Sequence, residues 1–200
     1  MIISPYEQGT EEWFAARLGK PSASNFSKLI TATGKPSASA DGYINQLIAE
    51  RLTGQSEPFY QNEHMARGTE LEPEAREAYE FITGEDVVEH GFILDDSGEF
   101  GCSPDGLSFS GMTGLEIKCP AANTMVKYLR NPESLWKAYY QQIQGCMLVT
   151  GAVAWDAFAY HPEMPHVIVT VERNEEYINQ LAEQVKSAVN VILTEVERLT

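Results

Sequence analysis

The chain has 200 residues, of which 43% are hydrophobic and 22% charged, and its formal net charge is −15. These values are typical of a soluble globular protein. The length allows either one domain with a full hydrophobic core or two small domains. The acidic balance argues against a general nucleic-acid-binding protein, which is normally basic, although a few basic side chains could still line one groove.

No apolar stretch approaches the roughly 20 residues that a membrane-spanning helix needs, so we expect no membrane association. The N-terminal residues lack the basic region and long apolar core of a secretory signal. Three widely spaced cysteines favour reduced thiols over a disulfide framework. Together these features predict a cytoplasmic protein.

The first predicted helix spans residues 10–18. Thr10 is a suitable N-cap and Gly19 a suitable end. Its buried side is expected to consist of Trp13, Phe14 and Leu18. Arg17 lies near the C-terminal end, where a cation is favourable for structural reasons alone.

A second helix is predicted from Ser22 or Ser24 to Ile30. A serine-capped helix N-terminus close to Arg17 would suit a phosphate, because free N–H groups, the helix dipole and a guanidinium all attract an anion. An ordinary N-cap explains the serines as well, and the pattern alone favours that simpler interpretation. Residues 31–40 are predicted to form a mobile loop. Residues 41–52 are predicted to form a third helix that ends at Gly54.

Residues 55–62 are predicted to be a connector, and residues 63–81 a fourth, strongly acidic helix. Pro73 lacks the donor of a helical hydrogen bond and should kink or restart this helix. Glu72 lies beside it and allows two interpretations. It belongs either to a solvated acidic face or to a metal site that it reaches by turning inward.

From residue 87 the pattern changes to short strands, which we expect to form an antiparallel meander. The predicted strands cover residues 87–88, 92–94, 100–102, 106–109 and 114–118. Helices are predicted at residues 124–130 and 132–149, and strands at 152–160 and 166–171. A final amphipathic helix is predicted with Asn174 as its N-cap. These elements predict one α/β domain over residues 1–200.

The stretch from residue 103 to residue 120 contains the most specific chemical pattern. Asp105 lies between a proline and a glycine, and Glu116 and Lys118 are two residues apart, so that in a strand they share one face. Two carboxylates beside a lysine suit Mg²⁺ and a bound water. The alternative is an Asp-Gly hairpin turn beside a solvated ion pair.

The residues Pro104-Asp105 and Glu116-Ile117-Lys118 match the PD-(D/E)xK signature of restriction-endonuclease-like nucleases. A longer ordered set resembles the phage lambda exonuclease group, also called YqaJ-type viral recombinases, and covers residues 7 to about 180. This set comprises Glu7-Gln8-Gly9, Trp13, Arg17-Leu18-Gly19, Ala23-Ser24, Cys102 to Leu107, Leu115 to Pro120, Ala138-Tyr139, Gln142 and Gln144.

The resemblance implies a restriction-endonuclease-like core, in which helices flank a central mixed, mainly antiparallel five-stranded sheet, with a helical N-terminal region. It implies that Asp105, Glu116, the backbone carbonyl of Ile117 and Glu72 bind Mg²⁺. Lys118 would position or deprotonate the attacking water. Gln142 would orient the nucleophile side of the site.

The resemblance also implies a pocket for a 5′-terminal phosphate at Arg17 and Ser24, with Ser22 beside them. Lys35 stands in the loop where the best-known member of the group has a further phosphate-binding arginine. A lysine offers a point charge where an arginine offers a planar fork.

The activity implied is 5′-to-3′ digestion of one strand of linear double-stranded DNA to mononucleotides, which leaves 3′ overhangs for recombination. Two Mg²⁺ ions per site are expected, with Mn²⁺ as a substitute. The expected assembly is a homotrimeric ring, the expected partner is a single-strand annealing protein, and the expected location is the cytoplasm of a bacterial host that carries a phage or prophage.

Two other functions fit parts of the sequence. One is a related PD-(D/E)xK endonuclease, although the iron–sulfur type needs four cysteine ligands and the chain has three cysteines. The other is a non-catalytic acidic DNA mimic or scaffold, which the net charge alone suggests.

Overall fold

The structure is a computed structural model that describes residues 1–56 and 63–200, apart from the side chains of residues 63–65. Most of the predicted connector at residues 55–62 lies outside the described residues. The helices are α1 (Glu11–Arg17), a 3₁₀ helix (Ala23–Lys28), α2 (Ala40–Thr53), α3 (Glu63–Thr83), α4 (Ala122–Arg130), α5 (Glu133–Ala138), α6 (Tyr140–Thr150) and α7 (Glu175–Leu199). The strands are β1 (Ile2–Ile3), β2 (Val87–Val88), β3 (Ile93–Leu94), β4 (Gly101–Cys102), β5 (Gly106–Ser108), β6 (Thr113–Lys118), β7 (Ala154–Ala159) and β8 (Val167–Glu172).

The central sheet contains five strands in the order β2-β5-β6-β7-β8. Three neighbouring pairs are antiparallel, and the β6–β7 pair is parallel. The predicted mixed, mainly antiparallel five-stranded sheet is therefore confirmed. The expected antiparallel meander ends at β6, because a parallel partner requires a crossover, and α4, α5 and α6 provide it.

A second sheet has three strands in the order β1-β3-β4. The sequence placed β3 and β4 in the same meander as β5 and did not predict β1, so this part of the prediction was wrong. The separation has a packing cause at Gly101 in β4. Its backbone approaches the Phe92 ring and the Ile93 carbonyl, and its N–H donates to the Pro21 carbonyl at 3.0 Å, so that β4 joins the N-terminal region.

The N-terminal helices differ from prediction in their packing. Thr10 caps α1 as expected, since its hydroxyl accepts from the Trp13 N–H at 3.2 Å. However, α1 buries no residue and Phe14 is 49% exposed, because α1 docks through the polar ends of Trp13 and Arg17 instead of an apolar face. The second helix is a six-residue 3₁₀ helix, and Ser22 makes no side-chain cap.

The loop after the 3₁₀ helix is anchored, contrary to the expected mobility. Thr31 and Lys35 exchange backbone and side-chain hydrogen bonds, and the Tyr177 hydroxyl donates to the Thr31 carbonyl at 3.1 Å. Gly34 lies against Gln180 so closely that a Cβ would meet its amide oxygen at 1.6 Å. Helix α7 therefore fixes this loop.

Two predictions about where a helix is interrupted were wrong. Helix α3 continues through Pro73, so the predicted restart of the helix at this residue was wrong. The segment predicted as one helix over residues 132–149 is divided into α5 and α6 at Tyr139, whose ψ of 17° departs from helical geometry. That division sets the position of Tyr139 in the site described below.

The main core lies where α2, α6 and α7 pack with the 3₁₀ helix and one face of the central sheet. Trp155 on β7 is fully buried there and leaves room only for glycine at position 114 on β6. A smaller cluster between α3 and the other face contains Ala75, Tyr79, Leu115, Ile117 and Phe158. None of the described helices combines the length and apolarity that crossing a bilayer requires.

Candidate active site

The strand β6 carries Glu116 and Lys118 on one side, as the spacing predicts. The Lys118 ammonium contacts Glu116 Oε1, and the Glu116 side chain is only 1% exposed. Because β6 is an inner strand between β5 and β7, the pair is held within the sheet and is not a solvated surface pair.

Asp105 reaches the same strand from the turn that precedes β5. Its Oδ2 accepts a hydrogen bond of 2.6 Å from the N–H of Ile117, the residue between Glu116 and Lys118. The sequence predicted that these side chains converge, and the structure brings Asp105, Glu116 and Lys118 together. The solvated-pair alternative does not fit this burial.

Two polar side chains hold the backbone around Asp105. Gln8 donates to the Pro104 carbonyl at 3.0 Å and to the His90 carbonyl at 2.8 Å. Arg76 on α3 donates to the Asp105 carbonyl at 3.0 Å. The carboxylate therefore projects from a turn whose peptide groups are fixed on both sides.

Helix α6 and the residue before it contribute the far side of the site. Gln142 donates from Nε2 to Glu116 Oε1 at 2.7 Å, so it orients this carboxylate. The ring centroid of Tyr139 lies 4.8 Å from Lys118 Nζ, within the range of a cation–π contact. Tyr139 had no predicted role, because its position depends on the break between α5 and α6.

Glu72 lies near the other carboxylates, but its nearest charged partner is Arg76. The Glu72–Arg76 distance is 2.7 Å, and Arg76 also pairs with Glu89 at 2.9 Å. Burial, and after it the charge of Asp105, raises the pKa of Glu72 to about 7. Arg76 was missed as a site residue, although the i, i+4 spacing from Glu72 could have indicated it.

Asp105, Glu116 and Glu72 all have raised pKa values. Burial and the neighbouring Asp105 raise the pKa of Glu116 to about 7, and burial raises the pKa of Asp105. Burial would lower the pKa of Lys118, but Glu116 and Asp105 raise it above its ordinary value. The site therefore combines a charged lysine with carboxyl groups whose ionised forms a further positive charge would stabilise.

The donor set fits a hard divalent cation. Glu116 Oε2 is buried without a hydrogen-bond partner among the described residues, which is costly unless a cation or water occupies that position. Carboxylate oxygens are the ligands that Mg²⁺ prefers. No three His, Cys, Asp or Glu side chains form a ready-made cage within the described part of the chain, so the full set with Glu72 and the Ile117 carbonyl stays a prediction.

The predicted phosphate pocket surrounds Arg17. Its guanidinium lies 4.2 Å from the Trp13 ring centroid and 5.2 Å from that of Phe92. It donates to Ser103 Oγ at 2.9 Å and to Ser22 Oγ at 3.5 Å. Burial lowers its pKa, and it forms no ion pair with any residue in the described ranges. A desolvated guanidinium without a carboxylate partner suits an anionic ligand.

Ser24 lies at this pocket, whereas Lys35 does not join it. The Ser24 and Ser22 hydroxyls are 3.3 Å apart. Lys35 is exposed, and no hydrogen bond of the described residues links it to Arg17 or to either serine. Ser103 was missed by the sequence analysis. It accepts from both Trp13 and Arg17 and lies two residues before Asp105, which links the pocket to the carboxylates.

Comparisons with known proteins show which chains and folds this protein is similar to. A family model described as the YqaJ-like viral recombinase domain matches residues 12–153. A crystal structure of an alkaline exonuclease from Laribacter hongkongensis is 37% identical, with a TM-score of 0.84, over 95% of this chain and 96% of that one. Its complex with dAMP has the same identity and coverage and a TM-score of 0.81.

A phage-related exonuclease from Haemophilus somnus 129PT is 16% identical, with a TM-score of 0.74, over 90% of this chain and 96% of that one, and supports the fold alone. A search of curated proteins returned no match. The solved structures confirm the predicted fold class with its restriction-endonuclease-like core.

Proposed function

We propose that this chain, which belongs to the YqaJ-like viral recombinase domain family, is a Mg²⁺-dependent exonuclease. It would digest one strand of linear double-stranded DNA in the 5′-to-3′ direction. That it is a nuclease acting on DNA follows from the family and from its 37% identity to an alkaline exonuclease. The metal, the direction of digestion and the 5′-phosphate preference are the proposed part.

One observation carries the proposal. Asp105, Glu116 and Lys118 converge on one side of β6, and Glu116 keeps a buried oxygen without a partner among the described residues. This is the arrangement that metal-assisted phosphodiester hydrolysis requires, since it provides cation ligands beside a positive charge.

The chain's own residues would divide the work as follows. Asp105 and Glu116 would hold Mg²⁺, with the Ile117 carbonyl and Glu72 completing the set, and Mn²⁺ could substitute. Bound Mg²⁺ supplies an activated water and neutralises phosphate charge, and a second ion would stabilise the leaving oxygen. Gln142 would keep Glu116 oriented, as its 2.7 Å hydrogen bond suggests.

Lys118 would act as a hydrogen-bond donor to the attacking water or the phosphate. Its raised pKa favours the ammonium form, and an ammonium cannot accept a proton. In the metal-free protein this charge state suits positioning of the water. Mg²⁺ bound to Glu116 and Asp105 would offset the charges that raise the pKa of Lys118, so deprotonation of the water stays part of the proposal.

The Arg17 pocket would bind the 5′-terminal phosphate through the guanidinium and the hydroxyls of Ser22 and Ser24. Ser103 connects this pocket to Asp105 across one residue, so a phosphate held at Arg17 would fix the strand end near the metal. Lys35 would then contact DNA farther from the end. A homotrimeric ring around the duplex and a single-strand annealing partner belong to the same proposal.

A linear duplex carrying a label at the 5′ or the 3′ end of one strand tests the direction. In Mg²⁺ the 5′ label should be released first as a mononucleotide, while the 3′ label stays on a shortening strand. Early release of the 3′ label would contradict the proposal, as would equal cutting in EDTA. A closed circular plasmid should stay intact, and its cleavage would favour the endonuclease alternative.

A further inference from the structure

A second buried carboxylate, Glu50 on α2, lies outside the site described above. It is 7% exposed and forms no ion pair with the residues that the structure describes. Its Oε2 accepts a hydrogen bond of 2.9 Å from the Gly19 N–H, and its Oε1 accepts one of 2.8 Å from Gln46. A buried carboxylate requires such bonds to offset its desolvation, and bonds to a charged acceptor are strong.

The next residue, Arg51, holds the other side of the same glycine. Its Nε donates to the Gly19 carbonyl at 2.7 Å, and its Nη2 pairs with Glu99 at 2.6 Å. Gly19 has a φ of +64°, and a Cβ there would lie 2.3 Å from Arg51 Cγ. Both polar groups of a residue that must be glycine are therefore fixed by α2. We call Glu50, Arg51 and Glu99 the Gly19 clamp.

The Gly19 clamp holds together the two segments that form the phosphate pocket. Gly19 lies between Arg17 and Ser22, so its peptide geometry sets the distance between the guanidinium and the serine hydroxyl. Glu99 begins the segment that leads through Gly101 to Ser103, the acceptor of Arg17. Residue 101 is also joined to the first segment, since it bridges Ser22 and donates to the Pro21 carbonyl.

We propose that Glu50 and Arg51 are positioning residues for recognition of the 5′-terminal phosphate. They touch no DNA themselves, but they hold Arg17 at the distance from Ser22 and Ser103 at which a phosphate is bound. The inference rests on the proposed function and adds that end recognition depends on two residues of α2 that lie behind the pocket.

The test compares linear duplexes that differ only in a 5′-phosphate or a 5′-hydroxyl, digested in Mg²⁺ by Glu50→Ala and Arg51→Ala. KM for the phosphorylated end should rise about tenfold, as expected when a charge-assisted contact is weakened. The kcat value and the KM for the hydroxyl end should stay within about twofold of the unsubstituted chain.

Three further variants make the comparison specific. Glu50→Gln retains an acceptor for the Gly19 N–H and should retain the wild-type preference for phosphate. Glu195→Ala and Arg198→Ala remove one partner each of an exposed pair on α7, and serve as matched charge controls without effect on the preference.

Each outcome decides the question. Equal losses on both substrates, or an unchanged preference in folded variants, would overturn the inference while leaving the proposed function intact. If the alanine variants do not fold by circular dichroism, Arg51→Lys decides. Its single ammonium replaces the two separate nitrogens by which Arg51 reaches Gly19 and Glu99, so the preference should fall, and an unchanged preference overturns the inference. Absence of any phosphate preference in the unsubstituted protein would overturn both.

Discussion

At the scale of single residues, Lys118 shows how neighbours choose a chemical role. Two carboxylates keep it charged, and the ring centroid of Tyr139 lies 4.8 Å from its ammonium. The pair spacing of Glu116 and Lys118 was readable from the sequence. The Tyr139 contact was not, because it depends on a helix break between α5 and α6 that no glycine or proline marks.

We predict that Tyr139→Ala lowers kcat about three- to thirtyfold, the range expected for loss of a partly buried cation–π contact, with little change in KM. Tyr139→Phe keeps the ring and should remain close to wild type. Steady-state digestion of a 5′-phosphorylated duplex measures both. A Tyr139→Phe variant as slow as Tyr139→Ala would show that the hydroxyl, and not the ring, is needed.

Glu116 carries a prediction about pH because its pKa, raised by burial and by Asp105, is about 7. Without metal, the folded protein keeps a proton that the unfolded chain loses near pH 4.5. The resulting stability is present at low pH and is lost as the pH rises through about 7. Glu116→Gln cannot titrate there.

The free energy of unfolding of the wild type, relative to that of Glu116→Gln, should therefore fall between pH 5 and pH 8. Urea unfolding of both proteins in EDTA gives the difference at each pH. A difference that is constant or rises over this range would contradict the raised pKa.

At the scale of elements, the β6–β7 pair carries the site. Its register places Gly114 opposite Trp155, and a Cβ at position 114 would meet the indole ring at 2.2 Å. Glycine in a strand is unfavourable by itself. Here the glycine allows the Trp155 ring to pack against β6, the strand that holds Glu116.

We predict that Gly114→Ala destabilises the fold by about 1–3 kcal/mol through overpacking. The matched control is Gly42→Ala in α2, where a Cβ meets no atom within 4 Å. That change should stabilise the helix by up to about 1 kcal/mol. Urea unfolding measures both, and equal effects of the two substitutions would contradict the packing argument.

Local features of the helices could be predicted from the sequence, whereas the organisation of the sheets could not. Helix caps at Thr10 and Asn174 were predicted, because a cap depends on residues three positions apart. The division into two sheets was missed, because it follows from contacts of β4 with a segment eighty positions earlier. The resemblance implied a mixed sheet, but the residue pattern did not show which pair is parallel, because β6 and β7 meet only across the three helices between them.

At the scale of the whole molecule, the net charge of −15 is the feature that a DNA nuclease has to overcome. Open-groove binding depends on many phosphate contacts and weakens steeply with salt. A closed ring would hold the duplex by its topology and need fewer such contacts. The net charge alone suggests a DNA mimic, whose acidic side chains would lie on the surface. The group of Asp105, Glu116 and Lys118 does not fit a mimic, because Glu116 is buried and contacts a lysine.

The ring gives a prediction about mass. Light scattering of the intact protein should give about three times 22.2 kDa, and the value should persist at moderate salt if the interfaces are apolar. A mass of one chain at micromolar concentration would contradict the ring and would leave the strongly acidic monomer to bind DNA by contacts alone.

The central claim is that Asp105 and Glu116 bind the Mg²⁺ that cuts DNA from a 5′-phosphorylated end. The most direct measurement is the initial rate of mononucleotide release from a 5′-phosphorylated linear duplex across a Mg²⁺ titration, for the wild type, Asp105→Asn and the exposed control Asp41→Asn. We predict release that requires Mg²⁺, an unchanged rate in Asp41→Asn, and a loss of about a thousandfold or more in folded Asp105→Asn. Release at the wild-type rate by Asp105→Asn, or by the wild type in EDTA, would contradict the account.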